Sequence, residues 1–249
     1  MLALTLALVL TTTPAPVEAW ARKACPLPKQ TPDSNVEMKF MEQQRTGCLR
    51  KSMNTALDKV IVPLKKQTPA AFKEWMSLQA EYNRWVAESC AAVEEAHWVD
   101  LSTGERSMGT GYGFTENQCL QRQFAWRGYY VEAWARGDWN GIQQALQAFS
   151  APARKARESL QSYLAGTKQA AARAPAHVTG SDMPVRQLSG EDWRPYNERL
   201  ARAAAGPGLL ARRQCALGAG RTPDCEPLLA DSLLAQMDFS EALEGAEGH

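Results

Sequence analysis

Residues 69 to 98 read PAAFKEWMSLQAEYNRWVAESCAAVEEAHW, and their apolar positions recur every three or four residues: Phe72, Trp75, Met76, Gln79, Tyr82, Trp85, Val86, Cys90, Val93 and His97. That spacing predicts one long amphipathic helix, with Pro69 at its first helical position and Thr68 as its N-cap. Immediately upstream, Ser34 to Lys66 carries a second stripe of the same period through Met38, Met41, Cys48, Leu49, Met53, Ala56, Leu57, Val60, Ile61 and Leu64. Asp33 or Ser34 can cap it, with Glu37 completing a capping box, and Pro63 is expected to kink or end it near Ile61 or Val62. The Gln67-Thr68-Pro69 connection is too short for anything but an antiparallel pair.

Downstream, Val99 to Asn117 (VDLSTGERSMGTGYGFTEN) is glycine-rich and has neither helical nor strand period, so it reads as a long loop. Helix resumes from Gln118 to Trp139 with Cys119, Phe124, Trp126, Tyr130, Val131 and Trp134. Six of the eight tryptophans lie between residues 75 and 139, the crowding expected of three helices sharing a core. Asn140 to Leu164 continues as helix with a break near Pro152. Ala165 to Ser189 reads as an irregular crossover, and Gly190 to Ala205 as a helix that Gly206-Pro207-Gly208 stops. A last helix is expected from Pro227 to Leu243. The fold class is therefore all-α: a disulfide-stapled antiparallel bundle over residues 22 to 139, with an appended helical region over 140 to 249.

Residues 1 to 21 read as a secretory leader. MLALTLALVL is an apolar run too short to span a bilayer, and Val17-Glu18-Ala19-Trp20-Ala21 supplies small residues for cleavage. A periplasmic or secreted location follows, without stable membrane insertion. Six cysteines fall after that point, at 25, 48, 90, 119, 215 and 225, with no C-x-x-C. An even count in an exported chain favours disulfides over metal. In the antiparallel pair, Cys48 and Cys90 lie at nearly equal distance from the turn, which favours a Cys48 to Cys90 bridge and leaves Cys25 for Cys119. The register is approximate, and four cysteines allow three pairings. Cys215 and Cys225 close a small loop of their own.

Lys and Arg total 28 against 27 Asp and Glu, which argues against nucleic acid as a partner. The charge is uneven nonetheless. Residues 150 to 221 hold twelve basic and five acidic side chains, and 222 to 249 hold seven acidic and no basic ones, so the acidic end is expected to lie back on the basic segment. Three histidines, at 97, 177 and 249, leave little for catalysis or metal binding. No nucleophile has a base at readable spacing, the adjacent Glu94 and Glu95 point apart on a helix, and His97 fits the end of a helix. No catalytic residue, metal ligand or cofactor is expected.

Cys25, Cys48, Gln79-x10-Cys90, the glycine-rich loop and Cys119-x7-Arg127-x3-Val131 together resemble the lysozyme-inhibitor LprI-like N-terminal domain over about residues 25 to 135. The second-helix pattern of that family finds its Gln at Gln79, while its Trp, Tyr and Arg are replaced by Tyr82, Trp85 and Val86. Its later Thr is replaced by Phe124, its final Arg falls on Arg127, and two polar first-helix positions become aliphatic within Ala56-Leu57 and Val60-Ile61. The resemblance implies a non-catalytic binding protein that inhibits a lysozyme or other peptidoglycan hydrolase, for instance as an immunity protein against an antibacterial effector. The alternative is a structural or adaptor protein of the envelope. A protruding segment would enter the partner's cleft, and the loop between Cys90 and Cys119 is the candidate, with Arg106, Ser107 and Tyr112 as contacts because Arg and Tyr are enriched at interface hot spots. Gln79, Trp85 and Arg127 are then scaffold, with Arg127 expected to pair with a carboxylate or a loop carbonyl.

Overall fold

A computed structural model describes residues 14 to 27, 31 to 107, 109 to 176, 185 to 218, 222 to 237, 239, 242 and 243. The apolar run of the expected leader, His177, His249 and the acidic tail from 244 lie outside the described residues.

Helices α2 (Asn35–Gln67) and α3 (Pro69–Ala96) form the antiparallel pair that the sequence predicts. Ser34 caps α2, its hydroxyl accepting from the Glu37 amide at 3.2 Å. Pro63 does not end the helix. The carbonyl that proline leaves without an N–H belongs to Lys59, on an exposed face where water can serve it, and α2 runs four residues further.

Helix α4 (Phe114–Arg136) lies antiparallel to α3, as shown by the Tyr82 hydroxyl donating to the Gln123 carbonyl at 2.8 Å and by Arg127 Nε donating to Gln79 at 2.9 Å. It therefore runs in the same direction as α2, with Thr46 donating to the Asn117 side chain at 3.1 Å. The remaining helices are α1 (Ala15–Ala24), α5 (Trp139–Ala148), α6 (Ser150–Arg173), α7 (Gly190–Leu217) and α8 (Cys225–Leu234). The α5/α6 junction falls at Phe149, where the sequence places a break near Pro152.

The four central cysteines pair differently from the expectation. Cys25 bonds Cys48 and Cys90 bonds Cys119, while Cys215 bonds Cys225 as expected. The error lies in rotation about α2. Its inward stripe is Leu49, Met53, Ala56, Leu57, Val60 and Ile61, and Cys48 sits one residue off it and is exposed. Cys48 thus faces away from α3 and meets the end of α1, whereas Cys90 faces the helix that the loop brings back alongside α3.

Helix α1 lies on α4, with Val17 and Ala21 buried and Trp20 Nε1 donating to Glu132 at 2.7 Å. The expected leader boundary at residue 21 thus falls inside a packed helix. A cut there would strip Val17 and Trp20 from the core. The Trp20 ring lies directly over Gly128, where a Cβ would stand well inside van der Waals contact with it. Gly128→Ala is expected to destabilise by about 1 to 3 kcal/mol through overpacking. Adding Trp20→Ala should recover part of that loss, and equilibrium denaturation of the single and double variants measures the coupling.

The appended region is not separate in packing: one continuous core runs from Val17 to Ala242. Helix α7 lies on α3 and passes straight through Gly206-Pro207-Gly208, against expectation. Pro207 cannot donate to the Ala203 carbonyl four residues earlier, and Trp85 Nε1 donates to it instead at 3.0 Å. Gly206 makes room for that indole, whose ring sits where a Cβ would go. A tryptophan on α3 therefore supplies the bond whose loss would otherwise break α7. Arginines of α7 pair with acids of α3, Arg202 with Glu88 at 3.2 Å and Arg213 with Glu74 and Glu81. Two acids of the acidic end meet basic helices, Asp231 pairing with Arg157 and Glu226 lying 3.9 Å from Arg212, while Asp238, Glu241, Glu244 and Glu247 lie outside the described residues.

Strands β1 (Val99–Asp100) and β2 (Glu105–Ser107) make a hairpin, and β3 (Val185–Gln187) adds antiparallel to β2. Both segments read as irregular thus contribute to one three-stranded sheet. Strands of two and three residues have no period to detect, and the β2 to β3 pairing is non-local.

Candidate functional site

The described residues between His97 and Gly113 are held by contacts from several elements. At its base Glu94, 1% exposed near the end of α3, accepts from three donors: Trp98 Nε1 at 2.7 Å, the Gly113 amide at 2.6 Å and the Glu116 amide at 2.8 Å. The two amides lie at the start of α4, where they have no intrahelical partner, so a carboxylate from α3 caps α4. Gly113 enters the helix with a positive φ of 94°, a conformation that favours glycine. Burial and the nearby Glu94 charge hold the Glu116 carboxyl above its ordinary value. Cys90–Cys119 closes the same end covalently.

The hairpin turn is shaped by Asp100, whose carboxylate accepts from the Ser102 hydroxyl and amide, both at 2.7 Å, and from the Thr103 amide at 3.2 Å. The Ser102 hydroxyl leads in holding that carboxyl below its usual range. Leu101 turns inward onto Gly166, and Arg173 donates to its carbonyl at 2.9 Å. The Leu188 amide and the Gln187 side chain bind the carbonyls of Gly104 and Thr103, both at 2.9 Å. On the far side Lys39 Nζ donates to the Tyr112 carbonyl at 2.6 Å.

Arg106 and Ser107 lie on β2 and are half-buried. Arg106 Nε pairs with Glu95 at 2.9 Å, and the other oxygen of Glu95 lies 3.7 Å from Arg199. Tyr112 is half-buried beside Trp98, ring centroids 5.9 Å apart. The three residues singled out from the sequence are thus on one loop, but two of them also help to hold it. Its exposed crest is Ser102, Thr103, Glu105, Gly109 and Thr110. Glu94 and Glu95 point apart as expected, and His97 Nδ1 lies 3.1 Å from the Val93 carbonyl. Among the described residues, no group of three or more His, Cys, Asp or Glu side chains could hold a metal ion.

Gln79 and Arg127 do come together, in the core. Arg127 Nη1 also donates to Gln214 on α7 at 2.7 Å, and the guanidinium lies among the rings of Tyr82, Trp75 and Tyr130 at 5.0, 5.6 and 5.9 Å. Neither expected partner is the one it finds: Arg127 binds two side-chain amide oxygens, because the helices facing it present glutamines at that level. Burial leads in lowering its pKa. Sequence reasoning missed Gln214 altogether and weighed Glu94 only as a catalytic carboxylate, not as the cap of α4. Glu94 had a readable signal, since it lies one turn beyond Cys90 and so places a charge on the inward stripe.

Fold and site define a class: an all-α, disulfide-stapled bundle that presents one braced hairpin. Comparison with protein-family models, curated proteins and solved structures finds no match. Three disulfides fit an oxidising compartment, and among the described residues no helix is long and apolar enough to cross a membrane.

Proposed function

We propose that this chain is an exported, non-catalytic binding protein that inhibits a lysozyme-like peptidoglycan hydrolase, acting by insertion of the 99 to 113 loop into the enzyme's cleft, in the manner of an immunity protein. The observation that carries the reading is the bracing of that loop. A segment fixed by a buried carboxylate, a disulfide and a third strand has little conformational entropy left to lose on docking, which is the condition for tight inhibition without chemistry. Its crest is polar and exposed. Asp100 within the loop, and Glu94, Glu95 and His97 beside it, all have bonding roles within the scaffold. Partner identity rests on the resemblance of Gln79, Cys90, Cys119 and Arg127 to the LprI-like pattern.

The test is a muramidase panel. Excess purified protein is expected to suppress lytic activity of at least one enzyme with 1:1 stoichiometry. Replacing the crest positions Thr103 and Thr110 by Arg should weaken inhibition at least tenfold while the circular dichroism spectrum and melting temperature stay unchanged. If every enzyme keeps full activity and none is captured from envelope extracts, the reading is wrong. Retention of a different envelope partner by the protein would then favour the adaptor role.

A further inference from the structure

Arg127 is 5% exposed and Gln214 1% exposed, yet each carries a nitrogen with no hydrogen-bond partner in the protein: Arg127 Nη2 and Gln214 Nε2. Gln214 Nε2 makes no bond of normal geometry, although the Gln214 side chain lies close enough to Tyr130 to bias that hydroxyl's ionisation. Both residues line a cavity between α3, α4, α7 and α8, walled otherwise by Tyr82, Tyr130, Leu78, Trp126 and three leucines of α7 and α8, and with room for one water-sized occupant. Among the described residues no carboxylate bonds Arg127, whose charge meets only two neutral amide oxygens and three ring faces. A guanidinium stays protonated, and a buried charge without a counterion is among the least favourable arrangements in a core.

We propose that this cavity is a binding site for a single halide ion, chloride under ordinary conditions, accepting from Arg127 Nη2 and Gln214 Nε2. The unpartnered groups are donors, so an ion that only accepts satisfies both and cancels the charge. A water could accept from both and donate to a tyrosine hydroxyl of the wall, but it would leave the Arg127 charge without a counterion. Multi-atom anions such as sulfate exceed the space.

The experiment is thermal denaturation of the full chain at constant ionic strength, exchanging sodium gluconate for sodium chloride or bromide, together with anomalous diffraction from bromide-grown crystals. Because the ion binds the folded state, the melting temperature should climb with the logarithm of halide concentration, while sulfate and gluconate give no such slope. Bromide density should lie beside Arg127. Gln214→Glu places a fixed carboxylate at the site and is expected to abolish the halide slope while keeping the protein folded in gluconate. Arg127→Met should abolish it as well, and if that variant does not fold, Gln214→Glu and the diffraction decide. Equal melting temperatures of the native chain in chloride and gluconate would overturn the proposal. So would a slope that survives in Gln214→Glu, or crystals without bromide in the cavity.

Discussion

Glu94→Gln is expected to cost about 2 to 4 kcal/mol of folding stability, whereas the same change one residue away, Glu95→Gln, is expected to cost under about 1 kcal/mol. Glu94 is buried and takes three donors on one carboxylate. A neutral amide lacks the charge that strengthens those bonds, and its nitrogen turns a donor toward at least one of the N–H groups. Glu95 is half-buried, and its ion pairs with Arg106 and Arg199 are partly screened by solvent. The loss in Glu94→Gln should be local as well as global. Amide exchange at Gly113 and Glu116 should accelerate, and Trp98 emission should shift to the red as its indole N–H loses its partner. Equal stability of the two variants would show that Glu94 does not cap α4. If the loop is the inhibitory element, Glu94→Gln should also bind its target more weakly than Glu95→Gln, since the freed loop must be ordered again on docking.

Replacing Cys90 and Cys119 together by Ala should cost about 3.5 kcal/mol from the unfolded-state entropy of a loop closed over 29 residues, a figure that depends on that entropic account. On a chain of this size that is a fall of about 7 to 14 °C in melting temperature. The same change at Cys215 and Cys225, separated by only 10 residues, should cost about 2.5 to 3 kcal/mol. A non-reduced peptide map should recover Cys25–Cys48, Cys90–Cys119 and Cys215–Cys225. Mild reductant should open the first of these before the second, because Cys48 is exposed while Cys90 and Cys119 are fully buried. A map linking Cys48 to Cys90 would mean that α2 is rotated to bring Cys48 onto its inward stripe, opposite to the orientation that buries Leu49 and Met53.

These two expectations rest on features with very different visibility in the chain. The helices α2, α3 and α4 follow from period alone, since each buries a stripe that the sequence spells out and the turn at Thr68-Pro69 admits one arrangement. The existence of disulfides follows from an even set of cysteines. Their pairing does not, because a rotation of one residue about α2 moves Cys48 from the inward stripe to the surface. Likewise Pro63 and Pro207 look alike as helix breakers. What separates expectation from outcome is where the orphaned carbonyl lands: toward water at Lys59, and against the Trp85 indole at Ala203.

The candidate site divides the same way. Its position, between two cysteines and two helices, was legible from glycine content and the loss of period. Its rigidity was not, for it arises from Glu94, Arg173, Gln187 and Lys39, which come from four separate elements. By itself, then, the order of residues determined an all-α, cysteine-bridged chain with a long interruption after the second of its expected helices, because helical period and cysteine count are local properties. Only the tertiary structure decided which cysteines meet, that the C-terminal half completes a single core, and that Arg127 is buried against glutamines rather than a carboxylate. Those outcomes depend on the rotation of each helix about its own axis, and that is set by the packing of all the others.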